Sequence, residues 1–334
     1  MKILVTGCAG FMGSWLCEEL IERGHQVYGV DDLSGGFMEN VPPGTNFMKL
    51  DLRDERKTDN MVKMFKPDIL CHLAADASEG KSFFTPINCL SRDIMGSVNV
   101  ITSAIRYKVK KILFASSMAI YGNQEPPFDE NKNRKPEDIY GIGKAVVEEY
   151  IEIQAKVFGF NYMIARPHNC FGERQNLWDP YRNVLGIWIR QLLEDKEIYV
   201  YGDGEQQRAF SYVEDTIRTM ADIIEGDRWD DIVNIGGIKA YRLNDVAKIL
   251  IKMFDKTDRY IKYFPGRVNE VKNAYSTYKK SIEKYGYKEL TSFEEGLKRM
   301  IEWAKGVYGK HKLKYMEMEL EHNQIPEVWL KHKM

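Results

Sequence analysis

Tyr140 and Lys144 stand four residues apart in Tyr140-Gly141-Ile142-Gly143-Lys144. On a helix that spacing puts a phenol and an ammonium on one face, a turn apart. A free tyrosine titrates near ~10 and is a weak base at neutral pH, but a neighbouring cation favours the phenolate. Such a pair can take a proton from a hydroxyl group and return it. Chance or a solvated helix face would produce the same spacing in a chain this rich in tyrosine and lysine, so the pair gains weight only from its surroundings. Ala115-Ser116-Ser117-Met118-Ala119-Ile120-Tyr121-Gly122 supplies a hydroxyl-bearing turn. Ser117 suits hydrogen bonding to a reacting hydroxyl or ketone, sharing its proton with Tyr140. Ser116 is the alternative, or merely caps the turn.

The segment Thr6-Gly7-Cys8-Ala9-Gly10-Phe11-Met12-Gly13 spaces three glycines between an apolar run and an amphipathic one. Gly7 permits a tight turn, Gly10 lets the backbone approach a pyrophosphate, and Gly13 lets helix pack close to strand. The helix N-terminus, with Phe11 and Met12 in its first turn, offers open N–H groups and the positive end of its dipole. The next apolar run ends in Val30-Asp31-Asp32, about twenty residues on. A carboxylate there accepts from ribose hydroxyls and repels a 2′-phosphate, which favours NAD over NADP. The bland alternative is a tight turn with a solvated acid pair. Further strand ends point to the same ligand: Asp51 and Leu52 toward the adenine, Leu73, Ala74 and Ala75 along the cofactor. His72 is assigned to the core.

These groups need a frame. Strands are expected at Lys2–Thr6, Gln26–Val30, Asn46–Leu50, Ile69–Leu73, Lys111–Ala115 and Asn161–Arg166. Helices are expected at Ser14–Arg23, Lys57–Phe65, Ile94–Tyr107 and Tyr140–Phe158. Short strands alternating with helices indicate an α/β fold, a doubly wound parallel sheet covered on both faces. Beyond Arg166 the pattern becomes mixed: a loop over Pro167–Asn183, helices at Val184–Glu194, Leu243–Phe254 and Phe293–Gly306, and strands at Ile198–Tyr201 and Asp231–Ile235. In the charged stretch from Lys310, the spacing of Leu313, Met316 and Leu320 predicts a surface helix. No Gly/Ser- or Pro-rich linker separates the halves.

With 334 residues and 44% hydrophobic content, the chain can bury a substantial core. A net charge of −1 disfavours nucleic acid as a partner. No apolar run reaches the roughly 18 residues of a membrane span, and the N-terminus does not resemble a signal peptide. Five cysteines without CxxC spacing read as reduced thiols in a cytoplasmic protein, with no metal site.

With glycine cradle, Asp31, serine turn and Tyr–Lys pair in this order, the chain resembles the extended short-chain dehydrogenase/reductase family. Within it, the nucleotide-sugar epimerase and dehydratase branch is the nearest match, over about residues 1–300. The resemblance implies a Rossmann NAD-binding domain over 1–166, rejoined by a segment near 209–237. A smaller mixed α/β domain, 167–208 and 238–334, would bind the nucleotide sugar. It implies that Lys144 reaches the nicotinamide ribose and that Asn88 and Pro167 lie on the nicotinamide side. It further implies Asn169, Asn183, Val184, Tyr201 and Ser117 on the substrate, Arg208 and Arg267 on its diphosphate, and Glu270 near the nucleotide ribose. His168 stands where many relatives carry an aromatic residue; Asn99 either orders the active site or bonds backbone from within the core.

Family members oxidise a sugar C4 hydroxyl. Where 4,6-dehydratases carry an Asp-Glu pair after the catalytic hydroxyl residue, this chain has Met118 and Ala119, which cannot move a proton. That favours a C4 epimerase acting on a UDP-sugar, with a C4 dehydrogenase or a dehydratase as the alternative and a non-catalytic NAD sensor behind both. The charges of Glu79 and Lys81, in the stretch Ala75–Ser82, keep other reactions open. A homodimer is expected through helices 94–107 and 140–158, with Val146, Val147, Tyr150 and Ile153 in the seam or against the sheet.

Overall fold

The computed structural model describes residues 1–330. Six strands come first: β1 (Lys2–Thr6), β2 (Gln26–Asp31), β3 (Asn46–Lys49), β4 (Ile69–His72), β5 (Lys111–Ala115) and β6 (Asn161–His168). With the later strand Asp231–Gly236 they form one seven-stranded sheet in the order 231–236, β6, β5, β4, β1, β2, β3. Every pairing is parallel. The chain winds outward in one direction from β1 to β3 and in the other from β4 onward. The crevice between the carboxyl ends of β1 and β4 is therefore the switch point where such sheets bind ligands.

The central strands β1, β4 and β5 are largely apolar because both faces are covered, whereas the edge strand β3 has no buried residue. Side chains alternate: Ile3 and Val5 of β1 enter one core layer, and Leu4 enters the other. The same split holds in β4, where Ile69 and Cys71 face one side and Leu70 the other. The first layer packs under α1 (Phe11–Glu22) and the helix Val213–Glu225. The second packs under α2 (Glu55–Phe65) and two further helices, α5 (Gly96–Arg106) and α6 (Ile139–Phe158). Two short helices that the sequence pattern did not announce, α3 (Glu79–Ser82) and α4 (Pro86–Leu90), carry the chain from β4 toward α5.

The remaining chain builds a smaller mixed layer. Ile198–Tyr201 pairs parallel with Ile261–Phe264, and Gln207–Ala209 lies between Ala240–Arg242 and Asn273–Ala274. Trp188, Leu243 and Leu297 of this layer join the same core cluster as Ile3 and Val5, so the two parts share one apolar interior. Among the described residues no helix is long and apolar enough to cross a membrane.

The surface helix expected around Leu313–Leu320 is absent. Backbone donors there bond to other elements instead of to carbonyls a turn earlier: Lys314 N to Trp178 O at 3.0 Å, and Glu319 N to Phe84 O at 2.8 Å. Met316 and Met318 pack into a cluster with Phe84, Tyr181, Ile325 and Trp329, and this packing outweighs the weak helical periodicity. His311 stacks on Phe37 at 4.1 Å between ring centres. Several boundaries also moved. α1 begins at Phe11, three residues early, and helical structure before α5 starts at Pro86 rather than Ile94.

Candidate active site

A cavity of about 950 Å³ opens over the carboxyl ends of β1, β4 and β5 and runs beneath the smaller layer. All of the residues assigned above to cofactor, chemistry or sugar line it.

The dinucleotide end is built by exclusion of side chains. Gly7 has φ +73°, and a Cβ there would stand 2.9 Å from Ala74 N. A Cβ on Gly13 would run into the Gly7 carbonyl, so α1 can approach β1 only with glycine at this position. Gly10 caps α1 without a side chain, leaving the N–H groups of Phe11 and Met12 directed at the cavity end of the helix. Asp31 braces this turn, accepting from Ala9 N at 3.1 Å and Leu33 N at 2.8 Å. Burial raises its carboxyl above the ordinary range. Asp32 accepts from Ser34 N at 2.8 Å and pairs with Arg92 at 2.5 Å. Burial works against its charge, but Ser34 and Arg92 hold its pKa below the usual value. Asp51 is paired with Arg53 at 2.6 Å. A cradle that admits no Cβ, an open helix N-terminus and a carboxylate at the β2 end together fit the pyrophosphate and ribose of NAD.

The chemical centre lies where α6 meets the turn after β5. Asp138 caps α6, accepting from Gly141 N at 2.7 Å. The glycines of the Tyr–Lys segment are there for contact: a Cβ on Gly141 would stand 2.9 Å from Ala119 O, and one on Gly143 3.3 Å from Asp93 Cβ. Tyr140 and Lys144 are both buried. Lys144 donates to Ala115 O at 2.7 Å and lies 5.7 Å from the Tyr140 ring centre. Burial pushes the Tyr140 phenol well above its ordinary value and ionised Asp93 adds to this, while a hydrogen bond with Ser117 opposes it. Burial lowers the Lys144 ammonium. Ser117 also accepts from Ala119 N at 3.1 Å, fixing the turn. Ser116 donates to buried Glu148 at 2.5 Å, which in turn pairs with Arg166 at 2.6 Å. That bond commits Ser116 to the network beneath the turn and leaves Ser117 as the hydroxyl beside the phenol.

At the far end, Arg208 donates to Val271 O at 2.6 Å and Lys272 O at 3.0 Å. Arg267 pairs with Glu270 at 2.7 Å and covers the Tyr201 ring at 5.1 Å. Asn169 (φ +36°) donates to Ala209 O at 2.8 Å, and Asn183 (φ +65°) caps the helix Val184–Leu193 through its backbone alone.

Two residues held open by the sequence lie elsewhere. His168 is buried against Ser276 at 3.0 Å and Tyr278 at 3.2 Å, outside the cavity lining. Asn99 donates to the Leu52 and Arg53 carbonyls at 2.9 and 3.2 Å and braces the end of β3. His72 bonds Thr6 Oγ1 at 2.7 Å and Ser97 Oγ at 2.8 Å within the core. Sequence reasoning missed Arg92, Asp93 and Asp138, and the contributions of Lys314, Met316 and Trp329 to the cavity. Asp138 carried a legible signal, an aspartate just before a helical stretch. The others are brought in by long-range packing and carried none.

The fold is that of a Rossmann-type, NAD-dependent enzyme of the short-chain dehydrogenase/reductase kind, and its cavity brings Ser117, Tyr140 and Lys144 together. The chain belongs to the NAD dependent epimerase/dehydratase family, whose model matches residues 3–236. It is 34% identical to a putative UDP-glucose 4-epimerase of Methanocaldococcus jannaschii, over 91% of this chain and 98% of that protein. A crystal structure of UDP-glucose 4-epimerase from Thermotoga maritima with UDP-glucose superposes with a TM-score of 0.87 at 34% identity, covering 92% of this chain and 99% of that one. A UDP-glucuronic acid 4-epimerase from Bacillus cereus, in complex with UDP-glucuronic acid and NAD, superposes with a TM-score of 0.85 at 26% identity, covering 92% and 100%.

Proposed function

We propose that this protein is an NAD-dependent UDP-sugar 4-epimerase. One observation carries the reading. Ser117, Tyr140 and Lys144 meet in the cavity between the dinucleotide cradle and the Arg208–Arg267 pair, and their nearest neighbours in the turn, Met118 and Ala119, hold no proton-carrying group.

Without a ligand, burial holds the Tyr140 phenol well above its ordinary pKa. NAD, when bound, supplies a hydride acceptor at the sugar C4 and a positive charge beside Tyr140. That charge and the Lys144 ammonium stabilise phenolate over phenol. Tyr140 takes the C4 hydroxyl proton, with Ser117 hydrogen-bonding the same oxygen, and a 4-keto sugar results. Arg208 and Arg267 hold the diphosphate through charge-assisted bonds while the sugar turns over. Tyr140 would give the proton back to the C4 oxygen when the 4-keto group is reduced from its opposite face.

Incubation of the purified protein with UDP-glucose, UDP-galactose and their N-acetyl forms, followed by nuclear magnetic resonance, tests the reading; a C4 epimer is the expected product. A dehydratase has one observation in its favour, the carboxyl groups of Glu79 and Asp138 in the same cavity. A 4-keto-6-deoxy product would establish it instead. The proposal includes a cytoplasmic homodimer. On α6, Val146 and Ile153 are 43% and 59% exposed, available for a helical seam, whereas Val147 is turned into the core.

A further inference from the structure

Of the carboxylates that line the cavity, Glu79 is distinct. Asp31, Asp32, Asp51, Asp76, Asp138, Asp179 and Glu270 each accept a hydrogen bond or hold an ion pair. The Glu79 side chain has neither among the described residues, and its surface is open to the cavity. Its neighbour Lys81 does not neutralise it, because that ammonium is buried in an ion pair with Asp76 at 2.9 Å.

The backbone around Glu79 is firmly placed. Ser82 Oγ donates to the Glu79 carbonyl at 2.6 Å and accepts from Tyr140 N at 3.3 Å, so α3 is docked on the first turn of α6. On its other side, Gly80 lies against Trp329 and Arg267: a Cβ there would stand 3.0 Å from the indole and 3.7 Å from the guanidinium. Electrostatically, Glu79 feels Arg208 and Arg267 at one end and acts on Asp138 and Tyr140 at the other. It therefore occupies the stretch between the diphosphate clamp and the phenol. A hexose joined to a diphosphate must fill that stretch to bring its C4 to Tyr140.

We propose that Glu79 sets the sugar specificity of this site, accepting hydrogen bonds from hydroxyl or acylamino groups of a neutral hexose and rejecting hexuronic acids. The inference rests on the nucleotide-sugar reading above. Burial raises the Glu79 carboxyl, and raises that of Asp138 to about 7, so a substrate carboxylate placed there would meet either a like charge or the cost of its own desolvation with no free cation to pair it. Arg208 and Arg267 offer little relief, since Glu270 and the diphosphate already draw on them. Specificity here is largely a matter of exclusion.

The test measures binding by calorimetry, with NAD present, of UDP, UDP-glucose and UDP-glucuronate to the natural protein and to Glu79→Gln. UDP carries no sugar and reports on the integrity of the nucleotide end. We expect UDP-glucose to bind at least about 30-fold tighter than UDP-glucuronate, and Glu79→Gln to narrow that ratio about tenfold or more with UDP affinity unchanged. Equal affinity of the natural protein for both sugars, or an unchanged ratio in Glu79→Gln with UDP still bound, overturns the inference and leaves the nucleotide-sugar reading standing. Failure of the natural protein to bind UDP overturns both. If Glu79→Gln alone loses UDP, Glu79 supports the nucleotide end rather than the sugar, and the inference falls.

Discussion

The Lys144 ammonium lies 5.7 Å from the centre of the Tyr140 ring, and both side chains are buried on one face of α6. Lys144 cannot leave that position without giving up its bond to the Ala115 carbonyl. Replacing Tyr140 by Phe removes the proposed proton carrier while keeping the ring. Turnover should fall by about 10²–10⁴-fold, the usual worth of general acid–base catalysis, with NAD still bound. Steady-state rates and cofactor fluorescence on the same preparation check both halves. Activity within tenfold of the natural protein would remove Tyr140 from the chemistry.

Asp93 is 2% exposed, and burial raises its carboxyl to about 6. Above that pH its negative charge raises the pKa of the Tyr140 phenol and supports the Lys144 ammonium. Asp93→Asn removes the charge, so the phenolate becomes easier to form. The rising limb of the kcat/KM profile should then move to lower pH. An upward shift would mean that Asp93 acts chiefly by holding Lys144 charged.

His72 and His168 are both pushed down to about 3, first of all by burial. Between that value and the unfolded value near ~6.5, the unfolded chain binds protons that the folded chain does not. Stability should therefore fall as the pH drops below about 6.5, before most carboxylates titrate. Urea midpoints at pH 7 and pH 5 measure the loss, and His168→Gln should show a smaller one. An equal loss in that variant would place the effect elsewhere.

Glycine substitutions should separate close approach from mere propensity. Gly13→Ala drives a methyl group into the Gly7 carbonyl and should abolish NAD binding or folding. Gly306, within the helix Phe293–Val307, has open space around it. Gly306→Ala should stabilise by about 0.5–1 kcal/mol, since it restricts the unfolded chain at no steric cost. Thermal denaturation compares the two, and a destabilised Gly306→Ala would contradict the packing described.

Much of this molecule was legible because its first half obeys local rules. Apolar runs such as Ile3–Val5 can only be strands covered on both faces, and the glycine spacing after β1 has one economical explanation. Asp31, Ser117 and Tyr140 could be placed because each sits at the end of a strand or the start of a helix, where position follows from periodicity. What escaped depends on contacts across long stretches of chain. His168 shares a strand with Pro167, yet whether it faces the cavity turned on Ser276 and Tyr278, more than a hundred residues away. The segment around Met316 carried a faint helical period, but Trp178, Tyr181 and Phe84 offered its backbone better partners. Asp93 shows no local signal at all, since its importance comes from Gly143 passing over it.

The central claim, reversible oxidation at C4 with return of the same hydride, is tested most directly by isotope tracing. UDP-glucose carrying deuterium at C4 is incubated with the protein in ordinary water, and the product is read by nuclear magnetic resonance. The account predicts UDP-galactose with the deuterium still at C4. Deuterium delivered to C6 of a 4-keto-6-deoxy product would mark a dehydratase. Loss of the label to solvent, or no change in any nucleotide sugar supplied, would contradict the account.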